Sequence, residues 1–258
     1  MNDISVAQIK LVASLAEKKH RRASNLFKVE GTKAVSDTLG HFELEFLAAT
    51  SAWYDSHFVN LTADPSKMLK ATRRDLDRMS SLTTTSDVIA VYKLPDTIPN
   101  LEAIEPEELV VALDGIQDPG NLGTILRTCN WFGVTTVICS NDTVDVFNPK
   151  AIQATMGAIT QVNVGYVSDL AEALTALSEK MHIYALMLDG ENIYKATLPK
   201  GGVIVLGNEG QGVRPSTITA CNCRLTIPAF AAGHSAESLN VAIAGAITLS
   251  QFRSREIG

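Results

Sequence analysis

The chain has 258 residues, enough for one large domain or two modest ones. Apolar residues make up 46% and charged residues 19%, which excludes a disordered or collagen-like chain. The net charge of −6 is uneven: residues 1–100 carry 13 basic against 12 acidic side chains, and 101–258 carry 9 against 16.

The longest nearly apolar stretch, 241–249, is about half of a membrane span, so no membrane partner is expected. Asp3, Lys10 and Glu17 interrupt the N-terminus, which does not read as a secretory signal. The four cysteines, at 129, 139, 221 and 223, are too few for a disulfide scaffold. The gap between Cys221 and Cys223 is not a zinc spacing. A reduced, cytoplasmic setting without metal is expected.

In chain order, Ile4, Ile9, Val12 and Leu15 have a helical period, and a second short helix is expected over 32–39. Phe42, Leu44, Phe46 and Leu47 suggest a strand, as do residues 88–92. Residues 67–78 read as one basic helix. Two basic clusters, seven bases within 1–34 and five within 67–78, could attract phosphates or simply form solvated faces. Residues 94–108 hold Pro95, Pro99, Pro106 and a run of acids, and read as an extended linker.

Beyond it, 109–113 is an apolar run typical of a buried strand, and 122–132 has a helical period closed by Gly133. Strand 134–139 follows. Asn148-Pro149 is a helix start. Helix 169–179, strands 183–188, 203–206 and 224–227, and a long helix over 236–252 complete the pattern. Alternating strands and helices argue a parallel sheet covered on both faces. The last helix is apolar almost all round, so it belongs in the core or under a second subunit.

Three segments follow strand ends, where ligands sit in open α/β sheets. In 114–127, Asn121 can cap the helix, and Gly123, Thr124 and Arg127 share one face. The segment makes either an anion-binding cleft or a capped helix with a surface arginine. In 203–213, three glycines surround Glu209. This is neither a dinucleotide fingerprint nor a P-loop, and the carboxylate suits a neutral or cationic ligand; a plain glycine-rich turn is the alternative. In 227–240, Ser238 and Asn240 stand at the entry of the apolar helix, where ordinary capping by Ser238 is the simpler role. Asp114 and Asp118 flank a turn and suit turn-capping. The five histidines show no ligand spacing.

Together, and in this order, DPGNLGTILR at 118–127, LGNEGQG at 206–212 and IP…SLNVA at 227–242 resemble the three signature motifs of the SpoU (TrmH-like) family. These are RNA ribose 2′-O-methyltransferases of the SPOUT superfamily. FKVEGTK at 27–33 and the stretch 76–91 are similar to the opening and end of that family's substrate-binding module. The resemblance implies an α/β fold in two parts. Residues 1–95 would be a small L30e/L7Ae-like α/β domain for RNA, 96–107 a linker, and 108–258 a SPOUT methyltransferase domain. The latter's parallel sheet would carry a trefoil knot near the C-terminus.

The resemblance also implies S-adenosylmethionine as cofactor, RNA as substrate (ribosomal RNA ahead of transfer RNA), and a homodimer through the C-terminal domain. By motif, Arg127 is implied as the main catalytic residue. Asn121, Glu209, Ser238 and Asn240 complete the set, with Asn121 and Glu209 expected to orient the Arg127 guanidinium. Cofactor contacts are implied at Leu206, Gly207, Ile227 and Leu239. Two departures stand out. The stretch 229–237 is a few residues long for the family, and Thr84-Thr-Ser-Asp87 stands where a Pro-Gln-Gly turn is frequent. The rivals are a catalytically inactive RNA-binding SPOUT homologue, a SPOUT enzyme acting on a base nitrogen, and a generic nucleotide-binding α/β enzyme.

Overall fold

The computed structural model describes residues 1–57, 64–231 and 238–254. The chain forms two units, Met1–Asp96 with Asp145–Thr160, and Thr97–Val144 with Gln161–Gly258.

The first unit opens with β1 (Asn2–Asp3), α1 (Val6–Ser14), α2 (Lys18–Ser24), β2 (Leu26–Glu30) and α3 (Thr32–Thr38). It continues with β3 (Leu44–Ala49), α4 (Ser51–His57), β4 (Met68–Lys70), α5 (Arg73–Met79) and β5 (Val88–Lys93). The five strands form one mixed sheet in the order β1-β4-β3-β5-β2. Ile9, Val12 and Leu15 pack with Leu76 and Met79 over Phe46, Leu69, Ile89 and Val91.

The single basic helix expected over 67–78 is not formed. Met68–Lys70 is a strand paired with both β1 and β3. The helix starts only after Thr72, whose side chain and Asp75 make a capping box. Ladder bonds on both edges outweigh a modest helical period. Of the seven bases in 1–34, Arg21 and Lys28 are buried, so the solvated basic surface is smaller than composition suggests.

The second unit begins with β6 (Leu109–Asp114), α6 (Pro119–Trp131) and β7 (Thr136–Ser140). Gly133 stands at φ +67°, the left-handed turn that ends α6. The next helix, α7 (Pro149–Thr155), is capped by Asn148 and groups with the first unit. There Asp145 bonds Arg21, at 3.0 Å to Nε and 2.6 Å to Nη2, and the Phe147 ring lies 4.6 Å from that of Phe27.

The chain then supplies β8 (Asn163–Val167), α8 (Leu170–Ser178), β9 (Ile183–Asn192), β10 (Gly202–Gly207), α9 (Pro215–Thr219), β11 (Cys223–Thr226) and α10 (Val241–Ser254). Six strands form a sheet in the order β11-β9-β10-β6-β7-β8, and every pairing is parallel. β6 and β10 are buried along their whole length, which explains their unbroken apolar runs.

α10 starts at Val241, later than the expected 236. Ser238 to Asn240 lie outside it, and Asn240 Oδ1 accepts from the N–H groups of Ala242 and Ile243 at 2.9 and 3.3 Å. Asn240, rather than Ser238, is therefore the cap. The helix buries Ala242, Gly245, Thr248, Leu249 and Phe252, but Ile243 stays exposed.

Candidate active site

β6 ends at Asp114, which is fully buried. Its carboxylate accepts from the Arg214 backbone N–H at 2.8 Å and from Nε at 2.6 Å. The same guanidinium reaches Asp142 at 3.3 Å, and the Ser140 hydroxyl donates to Asp142 at 2.7 Å. The Ser140 bond, then the Arg214 charge, hold the Asp142 carboxyl below its ordinary value against partial burial. Asp114 is thus no turn cap. It clamps the residue that closes the glycine loop to the end of a neighbouring strand.

The glycine loop is a tight turn built by Asn208. Its Oδ1 accepts from Gly210 and Gln211 N–H at 2.9 and 3.0 Å, and its backbone exchanges two 2.9 Å bonds with Gly212. Its Nδ2 donates to the Gly115 carbonyl at 2.7 Å, tying the second motif to the first. A Cβ on Gly207 would come within 2.2 Å of the backbone of Gly212 and Val213, so only glycine permits this fold-back.

The turn carries Glu209 to the start of α6. That helix is capped by Asp118, whose Oδ1 accepts from Asn121 N–H at 2.8 Å, with Pro119 in the first turn. Asn121 is therefore not the cap, and its side chain is available elsewhere. Its Nδ2 donates to Glu209 at 2.9 Å, and its Oδ1 accepts from Asn240 Nδ2 at 2.9 Å. Glu209 also accepts from the backbone N–H groups of Gln117 and Asp118, each at 3.2 Å.

Partial desolvation pushes the Glu209 carboxyl upward. The bonds from Asn121 and the backbone outweigh it and hold the group below the usual carboxylate value. The helix N-terminus favours the same ionised state. A chain Glu209–Asn121–Asn240 so joins all three motifs.

Beside it lies a cleft of about 700 Å³. Its walls are 186–189, 206–213, Ile227, 238–241 and Ala244. Leu206, Gly207, Ile227 and Leu239 all line it, together with Glu209, Ser238 and Asn240. Among the described residues, the lining contains no lysine or arginine and two carboxylates, Glu209 and Asp189, the latter paired with Arg224 at 3.6 Å. A cationic ligand with an apolar body fits such walls.

Asn121 and Arg127 lie outside the lining. Arg127 is exposed on α6 with Thr124, whereas Gly123 is buried, so the expected three-residue face is split. Among the described residues the Arg127 side chain makes no hydrogen bond or ion pair, so Glu209 and Asn121 do not hold its guanidinium.

Sequence reasoning missed Arg214, Asp142 and Asn208. Only Arg214 left a signal, a cation directly before Pro215 at a helix start. The departures at 229–237 fall partly on 232–237, outside the described residues. Among the described residues, no helix is long and apolar enough to cross a membrane, and no group of three or more His, Cys, Asp or Glu could hold a metal ion.

Residues 108–250 match the model of the SpoU rRNA Methylase family, and residues 7–90 match that of the MRM3-like substrate binding domain. The 23S rRNA (guanosine-2′-O-)-methyltransferase RlmB of Neisseria meningitidis is 35% identical over 159 residues, 61% of this chain and 62% of that protein. The chain thus spans less than two thirds of that relative. The 23S rRNA (guanosine(2553)-2′-O)-methyltransferase RlmP of Bacillus subtilis is 27% identical over 251 residues, 93% of each chain.

Among solved structures, one from Porphyromonas gingivalis placed in the TrmH family of RNA methyltransferases is 38% identical. It superposes with a TM-score of 0.86 over 98% of this chain and 99% of that one. An AdoMet-bound rRNA methyltransferase from Sinorhizobium meliloti is 25% identical, with a TM-score of 0.85 over 99% of this chain and 97% of that one.

Proposed function

Because the chain belongs to the SpoU rRNA methylase family, we propose that it transfers a methyl group from S-adenosylmethionine to a ribose 2′-hydroxyl of ribosomal RNA. The observation that carries this reading is the convergence of three distant motifs. Glu209, Asn121 and Asn240 are hydrogen-bonded in series beside a cleft lined by Leu206, Gly207, Ile227 and Leu239. The AdoMet-bound relative of matching fold supports the choice of donor.

The cleft suits that donor on its own chemistry. Backbone groups of 206–213 and aliphatic side chains can take a purine, and Glu209, whose partners are neutral amides, favours a cation. When bound there, S-adenosylmethionine supplies an electrophilic methyl group. The chain's residues supply position and charge. Asn240 and Asn121 fix Glu209 at the cleft edge, and Ser238 shapes the ribose side. Arg127 stays protonated, because a guanidinium does not titrate in this range. It offers its donors to an RNA phosphate and to the 2′-oxygen, which gains negative charge as its proton passes to solvent ahead of the attack.

The first unit presents the RNA. Its exposed Lys33, Lys70, Arg73, Arg74 and Arg78 and its match to a substrate-binding model support this role. A trefoil knot in the second unit, pairing of two copies through it and a cytoplasmic setting belong to the same proposal. Exposed Trp131 on α6 and Ile243 on α10 offer apolar surface for that pairing.

The test compares ribose methylation, position by position, in total RNA from cells with and without the gene. One 2′-O-methyl group in ribosomal RNA should vanish with the gene. It should return with the unaltered chain but not with Arg127→Ala, which should still bind S-adenosylmethionine. Full restoration by Arg127→Ala overturns the assignment of that residue, and an unchanged methylation map overturns the reaction.

A further inference from the structure

Trp131, Tyr194 and Phe230 are the exposed aromatic side chains among the described residues. Two of them meet. The rings of Tyr194 and Phe230 have centroids 6.4 Å apart at an interplanar angle of 42°. Phe230 is 85% exposed and Tyr194 42%.

Their place in the fold is specific. Phe230 stands three residues after Ile227, which lines the cleft, so the two Cα atoms are at most about 10 Å apart. Tyr194 is fixed to the same segment, because the N–H of Ile193 donates to the Thr226 carbonyl at 3.0 Å. Leu188, another exposed apolar side chain, lines the cleft, and its carbonyl accepts from the Thr226 hydroxyl at 3.1 Å. Tyr194 and Phe230 are outside the lining, but the segments that bring Leu188 and Ile227 to the cleft place this aromatic surface near its edge.

Two cations stand near these rings: Arg224, paired with Asp189 at 3.6 Å, and exposed Lys195, next to Tyr194. A phenyl ring left open to water offers two π faces and no hydrogen bond, and nucleobases splayed from single-stranded RNA stack on such rings. Reaction at a ribose 2′-oxygen leaves the bases unreacted, so they must be held aside while the sugar enters.

We propose that Phe230 and Tyr194 form a stacking platform for an unpaired nucleobase of the RNA, at or next to the methylated nucleotide. Phe230 is the principal ring. This inference rests on the proposed methyl transfer to RNA and adds where a base is held.

The test measures binding of the full chain to a fluorescent single-stranded oligoadenylate and to an abasic oligonucleotide of equal length and charge. Phe230→Ala should bind oligoadenylate about tenfold more weakly, while its affinity for the abasic strand is unchanged. Phe230→Trp should restore binding, and Tyr194→Ala should show a smaller loss of the same kind. Unchanged oligoadenylate binding in Phe230→Ala, or equal losses on both strands, overturns the proposal. So does a weakening that appears only as Phe230→Ala changes oligomeric state, because the rings then serve a second copy of the chain. The two readings fail separately. Absence of S-adenosylmethionine binding by the unaltered chain in calorimetry overturns the methyl-transfer reading, whereas the oligonucleotide arms decide the platform.

Discussion

Arg21 and Lys28 of the first unit are sealed from solvent, Arg21 on Asp145 and Lys28 on Glu30 at 3.1 Å. Glu209 of the second unit instead meets its amide partners at an open cleft. The chemistry is similar, but the consequences differ. A buried charge stripped of its partner is costly wherever it stands, so the first pairs hold structure. The Glu209–Asn121–Asn240 chain has water as an alternative partner. Its value lies in where it places groups, not in what it adds to stability.

The largest effect should follow from breaking the buried pair. Asp145→Ala leaves Arg21 without its carboxylate and should lower the stability of the first unit by about 3–5 kcal/mol in chemical denaturation. A loss near zero would erase the contrast between the units. Next comes Asn121→Ala, which cuts the chain of motifs in its middle. Methyl transfer should fall about a hundredfold, since misplacement of a positioned group has that order of effect. Stability should change by no more than about 1 kcal/mol. Equal damage to folding would make Asn121 a structural residue like Asp145.

The smallest effect is a pH dependence. The Glu209 carboxyl is held below its ordinary value of 4.5 in the folded chain, so its bonds stabilise the native state above that value. That contribution is lost as pH falls through the lowered value. The stability gap between the native chain and Glu209→Gln should therefore narrow in urea titrations taken below pH 4.5. A gap that is flat with pH would show that the ionised carboxylate adds nothing.

The second unit was the more legible one. Runs such as 109–113 and 203–206 are buried on both faces, so they carry no polar interruption, and all three motif segments sit at strand ends as expected. Local rules misled where two candidates competed. Asp118 outranks Asn121 as cap because Pro119 fixes the first helical position after it, and Asn240 outranks Ser238 because the helix begins at Val241. Nothing in the sequence pointed to the return of Asp145–Thr160 to the first unit. It is fixed by a buried ion pair between Arg21 and Asp145 and by the packing of the tilted Phe147 ring against Phe27, contacts that no local period encodes. The clamp of Asp114 on Arg214 was equally hidden, since the partners stand a hundred residues apart.

The most direct test of the account is amide hydrogen exchange of the full chain with and without S-adenosylmethionine. Protection should rise in peptides covering 186–189, 206–213, Ile227 and 238–244, and the first unit should be unaffected. Protection elsewhere, or none at saturating donor, would contradict the claim that three distant motifs build one methyl-donor cleft.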